Sequence, residues 1–160
     1  MRSRGVQNGH LELVLNSVSL HPELSSLESS AGRPQWKGRR ELFERLGDAS
    51  VCKAPDTVFG AFLHNVDWRT IEEIFAAFGI AKPPTAQPRE RGYIESLRER
   101  RNAVAHGRET ATDAGQGKTS ADLEKFLNVA YDVSLYFLDC LEDHVTQRAF
   151  VRAAFRPNYP

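Results

Sequence analysis

Arg101-Asn102-Ala103-Val104-Ala105-His106-Gly107 decides how this chain is read. The stretch closes a run of helical periodicity that begins at Arg89. With Ile94 set at zero and a helical step of about 100° per residue, Tyr93, Val104, Leu97 and Ala105 fall at about 260°, 280°, 300° and 20°. Arg101 falls at about 340°, inside that apolar stripe. Asn102 and His106 lie on its shoulder one turn apart, as surface neighbours. A guanidinium in a helix seam calls for an anion, because an unpaired charge taken out of water costs several kcal/mol. A structural carboxylate or a ligand phosphate would serve equally well at this point.

Outward from the motif, the rest of the chain reads as an all-α domain. Leu11, Leu13, Val14, Leu15 and Val18 suggest a first helix ending before Pro22, followed by a Ser-, Gly- and Pro-rich loop over 22–34. Trp36 to Leu46 reads as a short helix stopped by Gly47, and 48–60 is ambiguous, with breaks at Pro55 and Gly60. Asp67 to Phe78 is a helix with a stripe of Trp68, Ile71, Ile74, Phe75 and Phe78, and Gly79 follows it. Lys82 to Pro88 is a proline-rich linker, Arg89 to His106 the motif helix, and 107–118 a mobile polar loop. Thr119 or Ser120 caps the last helix, whose inward stripe is expected to include Leu123, Phe126, Leu127, Ala130, Ser134, Phe137, Leu138 and Leu141. Asp132, Asp139 and Asp143 lie opposite that stripe and are poorly placed to neutralise Arg101. Residues 1–147 form the expected helical domain of four to five main helices, and 148–160 an extension or tail.

Composition narrows the function. Lys plus Arg equals Asp plus Glu at 21 each, which argues against a general polyanion binder but leaves room for a local site. The segment 89–108 is such a place, with arginines at 89, 91, 98, 100, 101 and 108 against glutamates at 90, 95 and 99. Cys52 and Cys140 have no metal-ligand spacing, so neither a zinc site nor a disulfide framework is expected, and a reducing, cytoplasmic setting fits. No signal-peptide pattern and no membrane-spanning apolar run is seen. His10, His21, His64 and His144 are scattered and read as surface or structural, and Trp36 and Trp68 as core anchors. Thr110, Thr112, Asp113 and Lys118 read as plain loop. Paired catalytic carboxylates, a phosphate-cradling glycine loop and a nucleophilic serine motif are not found.

Arg-x4-His followed by Gly, with Asn beside the Arg, resembles the signature of the HEPN family. The surroundings agree. His64-Asn65-Val66-Asp67-Trp68 leads into a helix over 71–80, and Leu97-Arg98-Glu99-Arg100-Arg101-Asn102 leads into the motif before a polar loop and a long amphipathic helix. Over roughly residues 9–147 the chain is similar to the RiboL-PSP type of HEPN domain. The resemblance implies a helical bundle dimerising through the motif helix. It also implies metal-independent endoribonuclease activity without a cofactor, of the kind found in toxins and effectors of prokaryotic defence and toxin–antitoxin systems. Arg101 and His106 match its catalytic positions and Asn102 its polar position.

The residue types suit that chemistry. Cleavage of RNA without metal needs the 2′-hydroxyl deprotonated, the phosphate charge stabilised and the leaving 5′-oxygen protonated. Histidine moves protons near neutral pH. Arginine stays charged and grips phosphate bidentately. Arg98, Arg100 and Arg108 are candidates to track the RNA backbone. One motif histidine per chain is a thin acid–base supply, and a two-fold dimer would bring two Arg/His pairs into one cleft. An antitoxin or a defence-complex partner is a further expectation. The competing expectation is a non-catalytic nucleotide- or RNA-binding module, or a scaffold within such a complex.

Overall fold

The computed structural model describes residues 5–29, 36–53, 58 and 66–159. His64, Asn65 and part of the 22–34 and 48–60 segments lie outside the described residues. The helices are α1 (Asn16–Ser19), α2 (His21–Ser29), α3 (Trp36–Leu46), α4 (Trp68–Phe78), α5 (Glu90–Ala105), α6 (Ala111–Gly115) and α7 (Ser120–Thr146), with short 3-10 turns at Asn8–His10, Leu13–Leu15 and Ala153–Asn158. Among the described residues the extended pairing amounts to two isolated bridges, Gln7 with Val51 and Leu11 with Val151. The protein is all-α, as the periodicity predicts.

The chain divides into two compact units, one of residues 1–61, 76–80 and 143–160, the other of residues 62–75 and 81–142. The first buries Leu11, Leu15, Val18, Leu20 and Val151. Residues 148–159 contribute bonds to this unit: Glu12 N–H donates to the Phe150 carbonyl, Arg152 N–H to that of His10. The His10 ring stacks on Phe155 at 3.9 Å, and its Nδ1 lies 2.7 Å from the Tyr159 hydroxyl. Asn8 ties this end to the turn after α3, donating to the Ser50 hydroxyl at 2.9 Å. That hydroxyl in turn donates to Asp48, which holds the Asp48 carboxyl below its ordinary range.

The expected loop over 22–34 is corrected in part, because 21–29 is helix. Pro22 stands in the first turn of α2, where its missing N–H would be unpaired anyway.

The second unit positions the motif. Trp68, Ile71, Ile74 and Phe75 bury one face of α4 together with Ala103, Val133 and Cys140. Phe75 meets Phe137 at 5.6 Å, and Tyr93 meets Phe126 at 5.2 Å edge to face. Asp67 caps α4: its carboxylate accepts from the Thr70 N–H at 2.7 Å and the Thr70 hydroxyl at 2.9 Å. The proline-rich linker is fastened to the start of α5, where buried Glu90 accepts from the Thr85 hydroxyl and the Gln87 N–H.

Three expectations are corrected. Trp68 is a core anchor at 3% exposure, but Trp36 is 70% exposed. On α7 the buried positions are Val133, Cys140 and His144, and Leu123, Leu127, Ser134 and Leu138 of the expected inward stripe face solvent. The helix is turned so that Phe126, Ala130, Phe137 and Leu141 lie at the edge of its packed face. The polar segment after the motif is not all loop, since Thr110 and Asp113 form a capping box that starts α6.

Candidate functional site

α5 ends by a complete Schellman closure. Gly107 N–H donates to the Val104 carbonyl at 3.0 Å and Arg108 N–H to the Ala103 carbonyl at 2.8 Å. Gly107 sits at φ 67°, a left-handed backbone that disfavours any side chain, although a Cβ there would meet no atom within 4 Å. The glycine of the motif is thus required by backbone conformation and not by space. The turn leaves His106 as the C-cap residue, exposed, its N–H bonded to the Asn102 carbonyl at 3.0 Å. Its ring has no hydrogen-bond partner among the described residues, so both nitrogens are open to a ligand.

Arg101 is exposed, which corrects its expected place in an apolar seam. Ala103 and Glu90 are the buried residues of α5, and Ile94, Leu97 and Val104 are only half-buried, so the apolar stripe is incompletely covered and the buried Ala103 lies across the helix axis from Arg101. The guanidinium is steadied by its neighbour: Arg101 Nη1 donates to Asn102 Oδ1 at 3.0 Å. Arg101, Asn102 and His106 therefore stand at one solvent-facing end of one helix.

Arg98, Arg100, Asn102 and Arg108 line an open groove of about 530 Å3 in the second unit, with Ser96, Glu99, Ala103 and Glu109. The three arginines differ in what already holds them. Arg98 is paired with Asp67 at 2.8 Å and approaches Glu95 at 3.6 Å. The bonds from Thr70 are the main cause of a lowered Asp67 pKa, and the Arg98 charge adds to them. Arg100 Nη1 donates to the Ala114 carbonyl at 2.7 Å, fastening α6 beside the motif helix. Arg108 is exposed, and no side-chain hydrogen bond or ion pair engages it among the described residues.

Sequence reasoning missed the carboxylates Glu99 and Glu109 and the hydroxyl of Ser96 in that wall. Ser96, Glu99 and Ala103 share a helical face with Asn102 at three- and four-residue steps, a signal that was available. Glu109 is brought round by the Gly107 turn, which no spacing rule shows. The loop residues Thr110 and Asp113 are spent on the α6 cap, and the Thr110 hydroxyl holds the Asp113 pKa down. Among the described residues no cluster of His, Cys, Asp and Glu could hold a metal ion, and no helix is long and apolar enough to cross a membrane.

The chain is all-α and presents Arg, Asn and His at one helix end beside an arginine-lined groove, and its helical architecture is consistent with a HEPN fold. The family model described as RiboL-PSP-HEPN matches residues 20–147, most of the chain, and the protein belongs to that family. No curated protein and no solved structure matches the chain.

Proposed function

We propose that the protein is a metal-independent endoribonuclease that leaves 2′,3′-cyclic phosphate ends. The observation that carries this reading is the open end of α5, with Arg101 bonded to Asn102 and the His106 ring unengaged beside them. In the proposed reaction the ribose 2′-oxygen loses its proton and attacks the adjacent phosphorus. The bond to the 5′-oxygen breaks, and that oxygen takes a proton as it leaves. His106 moves protons in this exchange, Arg101 stabilises the charge growing on the phosphate oxygens, and Asn102 fixes the direction of the guanidinium. Arg108, with Arg98 and Arg100 behind it, meets the neighbouring phosphates of the strand.

The one motif imidazole of each chain supplies one proton-transfer group, whereas the reaction removes one proton and delivers another. A homodimer with a composite site, the two motif helices contributing one histidine each, resolves this. Within a cell such an enzyme acts as a toxin or effector of a prokaryotic defence or toxin–antitoxin system, restrained by an antitoxin or other partner.

The experiment is RNA cleavage with EDTA present, wild type against His106→Ala, with analysis of the ends. Cleavage by the wild type alone, leaving 2′,3′-cyclic ends, is the expected result. Equal cleavage by both proteins would remove the assignment. Binding without cleavage by either would favour the RNA-binding module that the motif could also serve.

A further inference from the structure

Two helix faces of this chain hold large apolar side chains in water with no cover. On α7, Leu123, Leu127, Tyr131, Leu135 and Leu138 are all exposed, Leu127 by 68%. Their steps of three and four residues place them on one side of the helix, the pattern of a packing seam. Scattered apolar residues on a surface need no explanation, but a contiguous stripe of leucines does. On α3, Trp36 and Phe43 are exposed to a similar degree two turns apart, hence on one face.

The charges beside the two faces have opposite sign. The solvent side of the α7 stripe carries Glu124, Asp132, Asp139 and Glu142, all exposed, and Lys125 is the one basic residue of the helix apart from His144. α3 carries four cations (Lys37, Arg39, Arg40, Arg45) against Glu41 and Glu44. Lys37 and Arg40 are paired with those glutamates at 3.9 and 3.4 Å, but such exposed pairs are weak and easily exchanged. Arg39 lies 5.2 Å above the Trp36 ring, which gives the aromatic face a positive edge. An antiparallel pairing of α7 with α7 would set two acidic flanks side by side. A basic aromatic face suits the stripe instead.

We propose that the α7 face of one copy receives the α3 face of a second copy of this chain. Trp36 and Phe43 enter between the leucines and Tyr131, and Arg39 and Arg40 meet the acidic flank. Each such contact covers one α7 face and one α3 face and matches their charges. The proposal goes beyond the nuclease reading and does not depend on it. It assigns the apolar part of the self-association to α3 and α7, leaving the charged outer face of α5 to the site.

The test is sedimentation velocity of the full chain across micromolar concentrations. The wild type is expected to self-associate. Leu127→Glu/Leu138→Glu and, separately, Trp36→Ser/Phe43→Ser are each expected to weaken association by at least about 30-fold, the scale of one interface hot spot. Both pairs are exposed, so helical content and melting temperature should hold, and circular dichroism checks this. Charge reversals sharpen the result: Arg39→Glu/Arg40→Glu and Asp132→Lys/Asp139→Lys should each be monomeric alone and associate when mixed. A wild type that is monomeric throughout would overturn the proposal. So would loss of association in the α7 variant but not the α3 variant, or mixed reversals that stay apart. EDTA-resistant RNA cleavage by the wild type against His106→Ala reports on the nuclease reading separately.

Discussion

α5 and α7 end in the same hydrogen-bond closure, and each places a histidine in it, yet the two histidines live in opposite surroundings. After α5, Gly107 and Arg108 bond back to Val104 and Ala103. After α7, Arg148 N–H reaches the Val145 carbonyl at 3.0 Å and Ala149 N–H that of His144 at 2.9 Å. The left-handed position is a glycine at φ 67° in the first and an arginine at φ 50° in the second. His106 faces solvent with its ring unengaged. His144 is buried near Phe78 and Phe150, and its Nε2 has no hydrogen-bond partner among the described residues. The same residue type at the same kind of helix end is thus exposed surface in one place and core in the other, and burial rather than local sequence makes the difference.

The largest test of that contrast is catalytic. His106→Ala and Arg101→Ala should each lower RNA cleavage by on the order of 10²–10⁴, with melting temperature nearly unchanged because both side chains are exposed. His144→Leu should leave cleavage per folded molecule at the wild-type level. If His144→Leu costs as much cleavage as His106→Ala, the division of roles between the two helix ends fails.

The next test concerns the two closures themselves. Gly107→Ala should destabilise the protein by about 1–2 kcal/mol, since an L side chain at left-handed φ is strained whatever the free space. The cleavage rate should fall as well, because His106 is aimed by that turn. Arg148→Gly should instead stabilise, by about 0.5 kcal/mol, as relief of strain outweighs the greater freedom glycine gives the unfolded chain. Urea denaturation of both variants decides. A destabilised Arg148→Gly would mean that the arginine side chain holds this turn in place.

How much of this was legible beforehand follows from where each signal resides. The glycine turns after Phe78 and His106, the helical class and the exposed aspartates of α7 rest on local pattern, and they emerge intact. Trp36 and Trp68 look alike in composition, and only Trp68 shares its stripe with isoleucines and Phe75. Trp36 shares its stripe with Arg39, and that difference was the available warning. Arg101 was misplaced because a helical wheel orders residues around an axis without saying which arc is buried, and α5 packs through small Ala103. The same limit hid the exposed leucines of α7. The helix at 21–29 was missed because a proline was taken as a stop when it stands in a first turn. Glu109 entered the groove wall through a backbone turn that spacing does not encode.

A smaller effect separates a held arginine from an open one. Arg108→Gln should weaken RNA binding a few-fold and reduce the salt dependence by about one phosphate contact, with stability unchanged. Arg98→Gln should act mainly on the fold, by about 1 kcal/mol, since it removes the charged partner of the Asp67 cap. Binding titrations at several salt concentrations, read beside melting curves, distinguish the two. Equal losses of affinity without any change in stability would make Arg98 as much a ligand contact as Arg108.

The smallest effect is a slope of stability against pH, and it isolates the buried histidine. Burial lowers the His144 pKa below its ordinary value of 6.5, and the charge of Arg156 lowers it further. As pH falls through 6.5 the unfolded chain takes up this proton while the folded chain resists it. Stability is therefore full above about pH 6.5 and declines until pH passes the depressed folded value, below which the loss is complete. The lowered carboxylates Asp48 and Asp67 act in a separate window, below their ordinary value of 3.8. Denaturation of the wild type between pH 8 and 4.5 should show the decline, and His144→Leu should flatten it whatever its effect on stability at pH 8. An unchanged slope in that variant would place the titrating group elsewhere and make His144 a packed ring whose protonation the fold tolerates.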